Sequence, residues 1–291
     1  MTTAPPRDEA RITVLMPLRH HHADYLRRSI GSVTGQTSRA WRLLVIVEES
    51  DLATFERLLA RPLEDPGIAL VVNRGRKLAG AINTGMRRAD TVFVALLFAD
   101  DMWSTDAVEV LTAHIAAHPD VDFFHSSRVV IDERDVAISP IGYSRDTWRL
   151  EDFPRGSPVK HLLCWRRDKA LAIGGLDESL NSVGPDDYDF PWRMAESGAA
   201  FMAIRECLYY YRNHCDCYRL TTHLPRSVHE REVRRILKKH GVGLLRRLMI
   251  TTRRGKGAVG EQCVYRSAID KWIKDRLGYE ARRGWTQITY R

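Results

Sequence analysis

The chain has 291 residues, 44% of them hydrophobic and 28% charged, a balance that is typical of globular proteins and excludes wholesale disorder. This length allows one large α/β domain with an appendage, or two small domains. The longest apolar run, residues 92–99, is far shorter than the ~20 residues that span a bilayer. Residues 1–10 lack the apolar segment of a signal peptide, so we expect a flexible tail there and a cytoplasmic protein.

The net charge of +8 is unevenly distributed. Residues 231–291 contain 17 Lys/Arg against 5 Asp/Glu, so the rest of the chain is mildly acidic. A basic segment behind an acidic body predicts an anionic partner, such as the inner face of a membrane or a polyanionic acceptor. A solvated helical face without a partner is the alternative. No nucleic-acid-binding motif is present, so no nucleic acid is expected as a partner.

Strands alternate with helices in the first part of the chain. Short apolar runs rich in β-branched residues predict buried strands at residues 11–17, 41–47, 69–73 and 91–99. Helical spacing of apolar residues predicts a helix after Asp24, one over residues 78–89, and one from Ser104 to about residue 118, with Asp24 and Ser104 as N-caps. This alternation predicts an α/β fold with a mainly parallel, doubly wound sheet.

The second half continues with mixed elements. Residues 121–131 are predicted to form one strand or two, and residues 148–159 form a polar loop interrupted by Pro. After a further apolar stretch we expect a helix over residues 186–198, a Tyr-rich strand over residues 200–212, and basic helices thereafter. We therefore expect one domain over residues 11–227 and a basic, mostly helical C-terminal extension over residues 228–291.

Acidic pairs follow two of the predicted strands. Glu48 and Glu49 end the second strand, and Asp100 and Asp101 end the fourth. Ligands collect at the carboxyl ends of strands in such sheets, and adjacent carboxylates repel each other unless a cation or hydrogen-bond donors are present. The two pairs therefore predict a ligand site at this edge. The capping of helices or turns is the alternative for either pair alone.

The order of several motifs resembles the inverting glycosyltransferases of family 2, which have the GT-A fold, and among them the type that synthesises spore-coat polysaccharide. The motifs are V-L-M-P at residues 14–17, V-E-E-S at 47–50, A-I-N-T-G at 81–85, L-F-A-D-D-M-W at 97–103, G-G-L-D-E-S at 174–179, P-D-D-Y-D-F at 185–190 and Y-R-N-H at 211–214. The resemblance implies transfer of a sugar from a nucleoside-diphosphate sugar, with UDP favoured, to an acceptor hydroxyl. It also implies a requirement for Mn²⁺ or Mg²⁺, because hard oxygen ligands suit these ions. The acceptor stays open between a glycan, a lipid-linked glycan, a protein and a natural product.

The resemblance also assigns roles to individual residues. Asp187 is expected to be the general base that takes the proton from the acceptor hydroxyl, and Asp186 to orient the base or the acceptor. The alternative for these two is to cap the helix at its positive N-terminus. Asp101 and His214 are the expected metal ligands. The expected donor-binding residues are Pro17, Leu18, Glu49 with Glu48 as the second choice, Lys77, Asn83, and Asp100, which would bind the ribose or the metal through water.

Some positions depart from the family pattern. Phe98 stands where the family usually has the first Asp of its D-x-D segment, Lys77 replaces a common Gly, and Ile82 replaces a common Arg.

Two rival functions stay open. A nucleotidyltransferase would carry a Gly-rich loop after the first strand, where this chain has L-R-H-H-H at residues 18–22. A degenerate GT-A fold would act as a non-catalytic binding module.

Overall fold

The computed structural model describes residues 11–19, 22–180, 186–214 and 226–254. The expected flexible tail at residues 1–10 and the C-terminal extension beyond residue 254 lie outside this part of the chain, as does the proline that begins P-D-D-Y-D-F.

Within the described residues, one sheet contains eight strands in the order β3-β2-β1-β4-β7-β6-β8-β5. β1 to β4 are parallel neighbours, β6 is parallel to β8, and β7 and β5 run the opposite way. The expected mainly parallel sheet is confirmed. The strands are β1 (Ile12–Leu18), β2 (Trp41–Val47), β3 (Ile68–Val72), β4 (Phe93–Leu96), β5 (Met102–Trp103), β6 (Phe123–Ile131), β7 (Leu163–Arg166) and β8 (Phe201–Arg212).

Helices cover both faces of this sheet. Along β1 and β2 the buried side chains alternate between two apolar clusters: Met16 and Val45 belong to one, and Leu15 and Ile46 to the other. Successive strand residues point to opposite faces, so the two clusters lie on opposite sides of the sheet. α1, α2 and α4 pack on the first cluster, and α3, α5, α6 and α7 on the second. The helices are α1 (Ala23–Thr34), α2 (Leu52–Leu58), α3 (Lys77–Arg88), α4 (Ala107–Ala117), α5 (Arg167–Ala172), α6 (Asp186–Glu196), α7 (Arg226–Lys239) and α8 (Leu244–Arg254).

Two predicted helix caps are wrong. α1 begins at Ala23, so Asp24 lies inside its first turn and forms an ion pair with Arg27. α4 begins three residues after Ser104, whose hydroxyl donates to the Asp106 carboxylate at 2.6 Å. Both side chains bind neighbouring groups instead of the backbone N–H groups of the helix end.

The basic helix α7 is part of the main domain. Val233, Ile236 and Leu237 are buried in the second apolar cluster. The residues that end α7 surround the buried carboxylate of Asp189, with Lys239 Nζ at 2.8 Å and His240 Nε2 at 3.0 Å. Residue 227 therefore does not separate two independently packed units, because the amphipathic sequence of α7 buries its apolar face against α6.

None of the helices in the described part of the chain has the length and apolar character that a bilayer span requires.

Candidate functional site

A pocket of about 690 Å³ lies at the carboxyl ends of β1 and β2. Arg19 follows β1, Glu48 follows β2, and Gly75, Arg76 and Lys77 form the loop that enters α3; all five line the pocket. Its volume lies within the roughly 300–1,000 Å³ that is typical of small-molecule sites. The pocket lies at the sheet edge where the sequence predicts a ligand.

Only one glutamate of the first acidic pair faces this pocket. Glu48 Oε1 accepts a hydrogen bond from Asn73 Nδ2 at 3.0 Å, which fixes the carboxylate beside the cavity. The Glu49 side chain is 74% exposed, lies 3.7 Å from Arg74, and is not among the residues that line the pocket. The structure therefore reverses the expected order, since Glu48 and not Glu49 is positioned to contact a bound ligand.

Three other expected donor contacts are buried in the protein. Pro17 and Leu18 are buried at the end of β1, and the next residue, Arg19, lines the pocket instead. Asn83 donates to the Leu176 carbonyl at 2.9 Å and to Glu178 Oε1 at 3.0 Å, and accepts from the Leu176 N–H at 2.8 Å. These bonds give Asn83 a structural role in place of the expected donor contact.

Backbone contacts shape the loop before α3. A Cβ atom on Gly80 would lie 2.4 Å from the Gly75 carbonyl carbon, so neither residue tolerates a side chain without movement of the loop. Glu178 accepts from the Arg76 N–H at 2.8 Å and holds the same loop from the other side. Lys77 has a φ of +54°, a conformation that glycine adopts most readily. This value fits the Gly that the resemblance implies at the position of Lys77.

The second acidic pair divides into one buried and one accessible carboxylate. Asp101 is 2% exposed. It accepts from the Tyr209 hydroxyl at 2.6 Å and from the Arg212 backbone N–H at 2.7 Å, so each of its oxygens receives a hydrogen bond from β8. The Asp100 side chain is 35% exposed and lies 3.2 Å from His214 Nε2. The structure therefore brings His214 to Asp100, while Asp101 connects β8 to the loop after β4.

Asp100 and His214 have the chemistry of a partial metal site. No cluster of three or more His, Cys, Asp or Glu side chains within residues 11–19, 22–180, 186–214 and 226–254 is arranged to hold a metal ion. His214 is buried, and its Nδ1 has no hydrogen-bond partner among the described residues. Protein sites for Mg²⁺ commonly supply one or two carboxylates and take the remaining ligands from substrate phosphates and water. Asp100 follows β4, the neighbour of β1, so this carboxylate and imidazole lie at the same carboxyl edge of the sheet as the pocket and fit that pattern.

Asp187 stands at the start of α6. Its side chain is 56% exposed, and Oδ2 lies 4.0 Å from His161 Nε2. Desolvation by the surrounding protein raises the pKa of Asp187, although the nearby charge of Arg128 opposes this effect. A raised pKa makes a carboxylate a stronger base near neutral pH. For Asp186, the structure describes the backbone alone.

His161 connects Asp187 to the buried Asp101. Its ring stacks on Tyr209, with 5.3 Å between centroids, and Tyr209 in turn donates to Asp101. Burial, with a smaller effect of Arg128, lowers the pKa of His161 to about 3, so this imidazole is neutral at physiological pH. The sequence analysis did not identify His161 and Tyr209 as site residues, because both occur in apolar stretches that are typical of ordinary core strands.

Comparisons with known proteins find glycosyltransferases as relatives. The family model described as glycosyl transferase family 2 matches residues 13–168. The O-antigen biosynthesis protein RfbC of Myxococcus xanthus is 25% identical over 206 residues, which cover 69% of this chain and 16% of that protein. The Escherichia coli UDP-Glc:alpha-D-GlcNAc-diphosphoundecaprenol beta-1,3-glucosyltransferase WfgD is 28% identical over 44% of this chain and 50% of its own length. The chain thus spans half or less of these relatives.

Solved glycosyltransferase structures share the fold. S. aureus TarS in complex with UDP-GlcNAc superposes with a TM-score of 0.60 at 15% identity, over 78% of this chain and 66% of that chain. The mannosyltransferase PcManGT from Pyrobaculum calidifontis, in complex with GDP-Man and Mn²⁺, gives 0.53 at 17% identity, over 96% and 72%. At these identities the likeness shows the fold alone, and this fold is GT-A.

Because Asp101 is buried and Asp100 is accessible, substitution of these two neighbours should change the stability of the fold by different amounts. Asp101→Asn should lower the free energy of unfolding by about 1.5–3 kcal/mol, because an amide cannot accept both buried hydrogen bonds as a carboxylate does. Asp100→Asn, at a partly exposed position, should change it by less than about 1 kcal/mol. Urea denaturation of both variants measures the difference, and equal stability of the two would contradict the assignment.

Proposed function

Because the chain belongs to glycosyl transferase family 2 and has the GT-A fold, we propose that this glycosyltransferase is an inverting enzyme that uses a UDP-sugar and a divalent metal. The observation that carries the proposal is the chain of contacts from Asp101 through Tyr209 and His161 to Asp187. These contacts link the proposed base to the loop after β4, which carries Asp100 at the same carboxyl edge of the parallel strands as the pocket.

The pocket supplies the donor site in this proposal. Arg19, Arg76 and Lys77 bring positive charge to a diphosphate, and Glu48 is placed to accept hydrogen bonds from the ribose or the base. Nucleotide-sugar use is supported by the structural neighbours, whose complexes contain UDP-GlcNAc and GDP-Man. Uridine is favoured on the resemblance to similar enzymes.

Asp100 and His214 would hold Mn²⁺ or Mg²⁺ with the diphosphate oxygens. A bound divalent ion neutralises the negative charge that develops on the leaving nucleoside diphosphate. This assignment gives Asp100 the role of metal ligand that the resemblance implied for Asp101, because both Asp101 oxygens already accept bonds from β8.

Asp187 would act as the general base. It would take the proton from the acceptor hydroxyl as that oxygen forms a bond to the anomeric carbon and the bond to the diphosphate oxygen breaks. Attack from the face opposite the leaving group inverts the anomeric configuration. The imidazole of His161 lies beside Asp187 and is neutral. It therefore adds no positive charge that would lower the pKa of the Asp187 carboxyl. Asp186 stays the proposed orienting residue.

The two rival functions have less support. The position after β1, where a nucleotidyltransferase usually has a Gly-rich phosphate loop, is occupied here by Arg19 and the histidines that follow it. A non-catalytic module would not require a carboxylate with a raised pKa in the cleft, as Asp187 has. Glycans and lipid-linked glycans are the acceptor classes that we favour.

We expect Asp187→Asn to lower turnover by roughly 10²–10⁴-fold, because a positioned base contributes about that factor. Release of the nucleoside diphosphate should be followed with Mn²⁺ present: UDP from UDP-glucose and UDP-GlcNAc, and GDP from GDP-mannose as the control donor. Donor affinity should stay unchanged in the variant, and Asp120→Asn, which alters an exposed carboxylate on the surface, should retain full activity. Near-normal turnover of Asp187→Asn would remove it from this role.

We further propose that α8 rests on an anionic phospholipid surface. Leu244, Leu245, Leu248 and Met249 are 65%, 72%, 42% and 46% exposed, which is an unusual amount of apolar surface for one short helix. Another part of α8 is attached to α7, where Arg234 Nε donates to the buried Thr251 hydroxyl at 2.9 Å. An apolar face with arginines on the same helix is typical of interfacial helices on anionic lipid.

Flotation with vesicles tests this membrane contact. The protein should float with phosphatidylglycerol vesicles at low salt, and less in 0.5 M salt because screening weakens the attraction. A Leu245→Asp/Leu248→Asp variant should stay in the soluble fraction, while Val136→Asp, at a 56%-exposed position on a different surface loop, should float like the unaltered protein. An unaltered protein that never floats would refute the lipid contact.

A further inference from the structure

Arg128 is a buried arginine beside the proposed base. It lies on β6, opposite Tyr209 of β8, and is only 6% exposed. Its guanidinium carbon is 4.9 Å from the centroid of the Tyr211 ring. Tyr211 in turn stacks on His161, with 6.4 Å between centroids, and His161 Nε2 lies 4.0 Å from Asp187, so these contacts bring the guanidinium close to the proposed base.

No negative charge in the described part of the chain pairs with this guanidinium. Among the side chains that the structure describes, no carboxylate forms an ion pair with Arg128, and Arg128 Nε is buried without a hydrogen-bond partner. Burial lowers the pKa of His125 to about 4, with a further effect of Lys160, so the two nearby histidines, His125 and His161, are neutral. A buried charge without a counter-charge destabilises the fold, and stacking on Tyr211 compensates only part of that cost.

We propose that Arg128 binds an anionic group of the acceptor, a carboxylate or a phosphate carried on or next to the sugar that is glycosylated. This inference rests on the proposed function, because it takes Asp187 as the base and the cleft beside it as the acceptor site. A guanidinium suits this task because it binds carboxylate and phosphate through two parallel hydrogen bonds. Arg128 is thus a specificity-determining residue that restricts the acceptor to an anionic class.

Occupation of this site would also favour the reaction. The charge of Arg128 by itself lowers the pKa of Asp187 and opposes the effect of desolvation, which raises that pKa. An anion bound to Arg128 would cancel this opposing charge. The base would then be strongest when the correct acceptor is in place, whereas a neutral acceptor would leave Asp187 weaker.

Binding of simple probes tests the proposal on the full chain saturated with UDP and Mn²⁺. Glucose, glucuronate and glucose 1-phosphate should be titrated in parallel by calorimetry or ligand-observed NMR. We expect at least one of the anionic sugars to bind roughly ten- to a hundredfold more tightly than glucose, as a charged hydrogen-bonded pair implies. The two anionic probes distinguish a carboxylate from a phosphate.

Variants separate recognition from folding. Arg128→Gln should remove the preference for the anionic sugar and leave UDP binding unchanged, whereas Arg128→Lys, which keeps the charge and protects the fold, should retain part of the preference. Equal affinity for all three probes, or a preference that survives in Arg128→Gln, would overturn the inference. Absence of metal-dependent UDP binding in the unaltered protein, measured first, would instead overturn the proposed function and the inference with it.

Discussion

The buried carboxylate of Asp101 is the constraint on which the site depends. It lies in the loop after β4, and both of its hydrogen-bond donors belong to β8, more than 100 residues later in the chain. Burial of a carboxylate is tolerated only when its oxygens are bonded, so the loop and the strand must come together in one arrangement. Because Asp101 is fixed in this way, its neighbour Asp100 faces His214, the second residue after β8.

Tyr209 extends the same constraint to the proposed base. Burial and the adjacent Asp101 raise the pKa of its phenol well above the ordinary value, so the hydroxyl stays protonated and continues to donate. The face of its ring positions His161, which in turn lies beside Asp187. The loop that carries Asp100 and the residue beside the proposed base are therefore both in contact with one strand, β8.

The alternation of strands and helices was predictable from the sequence, because apolar periodicity records which side chains face the core. The motif order was sufficient to indicate the sheet edge and the family.

The choice between adjacent acidic residues was not predictable from the sequence. Glu48 differs from Glu49 through its contact with Asn73. Asp101 differs from Asp100 through its contact with Tyr209, which lies far away in the chain. Asn83 was misassigned for the same reason, since its partners are contributed by the turn after α5. The lack of a counter-charge for Arg128 among the described side chains also emerges only from the structure, because a lone arginine in an apolar strand gives no sequence signal.

A crystal structure of the protein with UDP and Mn²⁺, with the metal located by its anomalous scattering, tests the central claim most directly. The account predicts a manganese peak at Asp100 and His214, with the diphosphate beside it and the nucleoside in the pocket lined by Arg19 and Glu48. A peak remote from Asp100, or a nucleotide bound outside that pocket, would contradict it.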